Sequence, residues 1–202
     1  MLIVFEGIDG SGKGAQIRML ARFFRQHRVR YKLHAYPTKK AKDAFLHLSG
    51  KKTVPARKLA EIFASDIVAE KGKLEGEMRQ GFVVVCDRYL HSTLAYQGVG
   101  AGYSELKGKL GRMGAIVPDL AVLLDVDPAL SFKRKRGQKK PDRHERDLPF
   151  LSKVRRNYLR MARGHFLAYK YTLIEAGKPA DEVFSEVVMQ VEPFVTGMGR
   201  RR

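Results

Sequence analysis

The chain opens with the short apolar run LIVF, passes directly into EGIDGSGKG and continues as AQIRMLARFFRQ. An apolar run, a glycine-rich turn and an amphipathic helix in immediate succession leave few folds open. In the third segment Ile17, Leu20, Ala21 and Phe24 recur at helical spacing, with Arg18, Arg22 and Arg25 off that face. The turn fits GxxxxGK at Gly7, Gly12 and Lys13, with Gly10 inside it. Glycines there let successive backbone N–H groups turn inward around phosphate oxygens, while the helix that follows points its positive end at them. Lys13 then reaches the transferring group. The same residues could also form a glycine-rich turn with a surface lysine, but a strand before and a helix after are the context of a phosphate-binding loop.

The rest of the chain alternates in the same way, which predicts a parallel sheet covered by helices. YKLHAYP is a second strand closed by Pro37, and YTLIEA is the last. FVVVCD and LAVLLDV are short, continuous and rich in β-branched residues, so they are central strands buried on both faces. KLAEIFASDIVAEKGKLEGEMRQ reads as one long helix after Pro55, weakened in its second half by Gly72 and Gly76. HSTLAYQ, SELKGKLGRMGAI, PFLSKVRRNYLRMARGHFLAY and ADEVFSEVVMQVEPF read as further helices. GQKKPDRHERDLP has no periodicity and is rich in charge, so it is a loop, and the reading makes it a mobile one.

A length of 202 residues and a hydrophobic fraction of 44% suit one globular domain, 1–202. No apolar run approaches bilayer length, and MLIVFEG has neither a basic region nor a cleavage site, so the expectation is a cytoplasmic protein without a membrane anchor. The single cysteine, Cys86, lies in a buried run and reads as core. A formal charge of +18 favours polyanionic ligands, nucleotides and nucleic acids alike. With no aromatic RNA-binding signature or zinc-finger spacing, nucleic acid is expected only through non-specific charge.

Two further stretches carry chemistry. In CDRYLHSTLAYQG, Asp87 ends a buried strand beside the phosphate loop, where a carboxylate can face Mg²⁺, and Arg88 offers a planar fork suited to phosphate. Ser92, Thr93, Tyr96 and Gln97 follow within one or two helical turns and can read a base edge and a sugar, or can form an ordinary polar helix face. In SFKRKRGQKKPDRHERD, Arg134, Arg136 and Arg143 lie over a helix end and the loop, where an arginine can stabilise transferring phosphoryl charge.

With these stretches in view, the chain resembles the thymidylate kinases along nearly its whole length. FEGIDGSGK is similar to that family's phosphate loop, and PT in AYPTKK to its Pro-containing acceptor loop. EIFASD resembles its Phe-bearing helix, and CDRYLHSTLAYQG and VPDLAVLLDVDP are the nearest matches. RKRGQKKPDRHERD resembles its lid, at about 137–148. The resemblance implies the P-loop kinase fold, α/β, with a parallel five-stranded sheet flanked by helices on both faces and a mobile basic lid. It implies a Mg²⁺-dependent homodimer transferring phosphoryl from ATP to dTMP in dTTP synthesis. Gly7, Ile8, Asp9, Gly10, Ser11, Gly12, Lys13 and Gly14 then hold ATP, and Asp9 and Asp87 hold the metal. Phe63 stacks on thymine beside Pro37 and Lys39 of the acceptor loop, and Arg88 takes the acceptor phosphate. Ser92 stands beside them, Thr93 and Gln97 lie near the base, and Tyr96 closes against the sugar. Lys13, Asp9, Arg88 and the arginines 134, 136 and 143 form the catalytic set, with Arg143 the best lid match.

Three departures stand out. Gly14 and Ala15 replace the usual hydroxyl pair, which removes an expected Mg²⁺ contact. Ile67 occupies a position usually held by an arginine, for which Lys39 can compensate. YPTKK also replaces the Arg-Glu-Pro-Gly-Gly form of the acceptor loop. A kinase of another monophosphate or small phosphorylated acceptor, and a non-catalytic nucleotide- or nucleic-acid-binding paralogue, are the alternatives.

Overall fold

A computed structural model describes residues 1–135 and 147–195. Five parallel strands form one sheet: β1 (Leu2–Glu6), β2 (Tyr31–Ala35), β3 (Val83–Asp87), β4 (Leu120–Asp125) and β5 (Lys170–Glu175), in the order β2-β3-β1-β4-β5. Helices cover both faces, as parallel strands require of their crossovers. This is the P-loop kinase fold expected from the sequence.

The three central strands are buried up to the terminal Asp87 and Asp125, with Leu2, Ile3, Val4, Val83, Val84, Leu120 and Ala121 fully sealed, and Cys86 is a free, buried cysteine among them. The edge strands carry exposed positions such as Leu33 and Leu173. On one face α1 (Lys13–Gln26) packs on α9 (Ala180–Val195). Ile17, Leu20, Ala21 and Phe24 of α1 are its buried positions, as their spacing predicts.

The other helices are α2 (Lys42–Leu48), α3 (Ala56–Ala69), α4 (Lys71–Arg79), α5 (Leu90–Ala101), α6 (Tyr103–Gly111), α7 (Pro128–Lys135) and α8 (Leu148–Arg163). Helix α5 packs between α3 and α8. Several elements differ from the sequence reading: the helix read over SELKGKLGRMGAI already ends at Gly111, and three further differences have a visible cause. The long helix after Pro55 breaks at Glu70, ahead of either glycine, where the carboxylate is tied to Lys40 Nζ at 2.7 Å. Helix α8 stops at Arg163, because His165 and Leu167 take left-handed backbone (φ 46° and 51°), returning Phe166 to the core against His91. Helix α2 is too short for periodicity to reveal, and it is held by burial of Ala44 against Leu59 and Val54.

Candidate active site

The site lies at the C-terminal ends of β1, β3 and β4, where an open parallel sheet leaves its crevice. Strand β1 runs into Gly7 at φ 142°, where an added Cβ would stand 2.5 Å from Leu124 O and 2.8 Å from Ser11 Oγ. Gly10, at φ 79°, has no more room, since its Cβ would meet Ser131 O at 2.7 Å. Both glycines are thus required by backbone angle and by crowding. Helix α1 starts at Lys13 with no side-chain cap and no acidic residue in its first turn, so its positive end is left for an anion.

Lys13 is buried, and its ammonium donates to Gly7 O at 2.9 Å and Ile8 O at 3.1 Å. Burial and then the Arg88 charge lower its pKa to about 8, against the pull of Asp9, Asp87 and Glu6. Ser11 Oγ is buried with no hydrogen-bond partner among the described residues. Ser131 Oγ on α7 donates to Asp9 O and ties that helix to the phosphate loop.

Asp9 joins this loop to the next element. Arg88 Nη2 donates to its Oδ1 at 2.5 Å, and Tyr96 Oη donates to its Oδ2 at 2.9 Å while accepting from its backbone N–H at 3.2 Å. Burial alone would raise the Asp9 carboxyl, but the charges of Arg88 and Lys13 outweigh it and hold the group well below the usual range. Arg88 has φ 68°, a left-handed conformation that few non-glycine residues adopt.

A cleft of about 200 Å³ opens beside Arg88. It brings together Asp9, Pro37, Phe63, Arg88, Ser92, Thr93, Tyr96 and Gln97, all named from sequence, with Tyr36, Leu48, Ile67 and Tyr89 completing the wall. Lys39 is exposed and is not among the lining side chains. The loop after β2 is fastened from below: Thr38 N–H and Oγ1 donate to the two oxygens of Asp66 on α3 at 2.7 and 2.5 Å. Arg134 turns away from the cleft and donates to Ala176 O at 2.8 Å and Gly177 O at 3.4 Å. Arg136 and Arg143, with nearly all of the expected lid, lie outside the described residues.

For a magnesium ion the donor set fits at one point above all. Asp87 Oδ1 is buried and meets no hydrogen-bond donor among the described residues, which leaves a carboxylate oxygen for a cation or its water. Both Asp9 oxygens already accept a bond, yet a carboxylate oxygen has a second lone pair to offer. Gly14 adds no ligand, and a Cβ there would meet only Arg18 Nη1 at 3.4 Å.

Sequence reasoning missed Glu6, although it stands immediately before the motif. Its carboxylate, 2% exposed, accepts from Tyr89 N at 2.7 Å, Ser92 N at 3.3 Å, Ser92 Oγ at 2.6 Å and Tyr158 Oη at 3.0 Å. Burial pushes its pKa up to about 7, against the opposing effect of Ser92 and Arg88. The same reasoning missed the clasp on the far side. Arg155 of α8 donates to both oxygens of Asp125 at 2.6 and 2.8 Å, closing the end of β4.

The sequence model described as thymidylate kinase matches residues 5–187. The thymidylate kinase of Carboxydothermus hydrogenoformans is 32% identical over 92% of this chain and 93% of its own length. That of Deinococcus radiodurans is 32% identical over 93% and 94%. The probable thymidylate kinase of Pyrobaculum calidifontis is 34% identical over 99% of this chain and 100% of its own length. With the phosphate loop, the arginine at the end of β3 and the adjoining cleft all in place, the chain belongs to the thymidylate kinase family.

Proposed function

We propose that this chain transfers the γ-phosphoryl group of ATP to dTMP, giving ADP and dTDP, and that the residues just described divide the work. The carrying observation is that Arg88 stands between the phosphate loop, through Asp9, and a cleft lined by Phe63, Thr93, Tyr96 and Gln97. A donor phosphate and an acceptor phosphate on either side of one guanidinium are close enough to react. An acceptor phosphate oxygen attacks the γ-phosphorus as its bond to the bridging oxygen breaks, and ADP leaves with the electron pair.

Gly7 to Gly14 cradle the donor phosphates with backbone N–H groups. Lys13 exchanges its bonds to Gly7 O and Ile8 O for phosphate oxygens. Arg88 holds the acceptor phosphate and Phe63 stacks on the base beside Pro37. Thr93 and Gln97 face its edge, Ser92 orients Arg88, and Tyr96 crowds the position of a 2′-hydroxyl. Lys39 supplies charge at the mouth of the cleft. Arg143 serves the leaving phosphates from a lid at about 137–148, with Arg136 just ahead of it, and Arg134 joins them only by exchanging its bonds to Ala176 O and Gly177 O for phosphate oxygens, in a single cytoplasmic domain working as a homodimer. Magnesium, held through Asp87 and Asp9, neutralises developing charge on the phosphates when bound. Positioning and charge account for the rate, with no covalent enzyme intermediate.

A coupled assay of ADP release over dTMP, dUMP, CMP, AMP and GMP tests the reading. It expects the highest kcat/KM for dTMP. Preference for another monophosphate overturns the substrate, and no ADP release with any of them overturns the kinase.

A further inference from the structure

Glu6 is the last residue of β1, one step before the phosphate loop, yet among the described residues its side chain bonds to the start of α5 and to Tyr158 of α8. Helix α5 begins after Tyr89 with no capping side chain of its own. Glu6 Oε1 takes the N–H groups of Tyr89 and Ser92 there, the service that a helix's own cap residue normally gives. Its Oε2 takes the hydroxyls of Ser92 and Tyr158, which are themselves 2.8 Å apart. Ser92 Oγ in turn accepts from Arg88 Nη1 at 3.0 Å. A continuous path therefore runs from the Glu6 carboxylate through one hydroxyl to the guanidinium, whose other arm is on Asp9.

Backbone geometry points the same way. Arg88 sits at φ 68°, and the N–H immediately after it, on Tyr89, is the one that Glu6 holds at 2.7 Å. A non-glycine residue stays in that region only when its surroundings fix it. The carboxylate thus constrains Arg88 twice, through its main chain and through its side chain.

We propose that Glu6 is a positioning residue that aims Arg88 at the acceptor phosphate, so that the strand feeding the donor loop also sets the acceptor's phosphate site. This rests on Arg88 binding the acceptor phosphate, as given above. Glu6 touches no substrate. It acts through Ser92 and the first turn of α5.

The test uses Glu6→Gln, Ser92→Ala, Arg88→Ala and the double variant Glu6→Gln/Arg88→Ala. Each is assayed for kcat and for the KM of ATP and of dTMP, and each is unfolded in urea. Assayed above about pH 7, where Glu6 carries its charge, Glu6→Gln keeps size but loses that charge, and Ser92→Ala cuts the side-chain path while leaving Glu6 on the backbone. Each should raise the dTMP KM by about three- to tenfold and leave the ATP KM within about twofold, since a misdirected charged hydrogen bond loses part of its strength. In the Arg88→Ala background, Glu6→Gln should add less than about twofold, because residues acting through one another are not additive. A purely structural role predicts otherwise, and equal losses for both substrates, or the same Glu6→Gln effect with and without Arg88, overturns the proposal. If Glu6→Gln fails to fold, Ser92→Ala decides, and an unchanged dTMP KM in that variant overturns it. An Arg88→Ala enzyme with unchanged dTMP KM instead overturns the role given to Arg88, which separates the two failures.

Discussion

Replacing His91 with Gln should change how stability depends on pH, because two buried groups titrate in opposite senses at this position. His91 is 1% exposed, and its Nε2 lies 3.0 Å from Phe166 O. A carbonyl only accepts, so Nε2 carries the proton and Nδ1 is left bare, 3.7 Å from Glu6 Oε1. Burial lowers the ring from 6.5 to about 4, against the carbonyls of Phe166 and Leu167. Its contribution to stability is complete above pH 6.5 and is lost as pH falls through about 4. At about 1.4 kcal/mol per unit, roughly 3 kcal/mol is lost between pH 7 and 4. Glu6 runs the other way, raised from 4.5 to about 7, so its contribution is complete below pH 4.5 and is lost as pH rises through about 7. From this pair alone the wild-type protein should show little slope between pH 4.5 and 6.5. Gln at 91 keeps an N–H for Phe166 O and cannot titrate. Urea unfolding of both proteins at pH 7, 6, 5 and 4 gives a difference in which groups distant from residue 91 cancel. Wild type minus variant should fall by about 3 kcal/mol on acidification. A difference constant within about 0.5 kcal/mol refutes the reasoning, since it would mean that the ring charges as easily folded as unfolded.

Phe63→Ala should weaken dTMP binding by about 1–3 kcal/mol and leave ATP binding nearly intact, as a lost stacking platform would. Calorimetry with each ligand checks this, and equal losses would make Phe63 a packing residue. Gly14→Ser should lower the Mg²⁺ concentration for half-maximal activity, because the site has room for a Cβ and the hydroxyl adds a ligand. Lys13→Ala should be inactive at every concentration, and a magnesium titration of both beside wild type decides the pair. Gly10→Ala should cost on the order of 1–2 kcal/mol for its left-handed backbone, with a further penalty from Ser131 O. An unchanged melting temperature would show that the loop relaxes freely.

What could be read in advance follows the range of the interactions. The central strands announced themselves because burial on both faces leaves only apolar residues, as in VVVC and LAVLL. The phosphate loop was legible because its glycines, lysine and helix start are contiguous. The cleft residues Ser92, Thr93, Tyr96 and Gln97 share one helix, so their convergence followed from spacing. Glu6 was not legible, because its partners lie 83 residues away at the N-cap of α5 and 152 away on α8. Ser131 reaches Asp9 across 122 residues, and nothing in ALSFK marks it. Lys39 is adjacent to the acceptor loop in sequence, but Thr38 is fixed from below by Asp66 and the next side chain points outward.

Strand order explains why so many of the proposed roles crowd around Arg88. Phe5 pairs with Asp87, so the residues that follow them, Glu6 with the donor loop and Arg88 with α5, leave the sheet side by side. Neighbouring strands are about 4.8 Å apart, and phosphoryl transfer needs its reacting atoms within about 3.5 Å. Two segments emerging from adjacent strands can meet that demand without long side chains or a large domain movement. The same closeness would set the charges of Arg88 and Lys13 against each other, and Asp9 and Glu6 supply the opposing carboxylates from β1 and the loop that follows it. In an order that placed β4 between β1 and β3, Arg88 would stand one strand spacing farther from Asp9, beyond the reach of its present hydrogen bond. The phosphate loop and Arg88 are therefore brought together by the sheet itself, and the proposed part of Glu6 is to refine a proximity that the parallel register already provides.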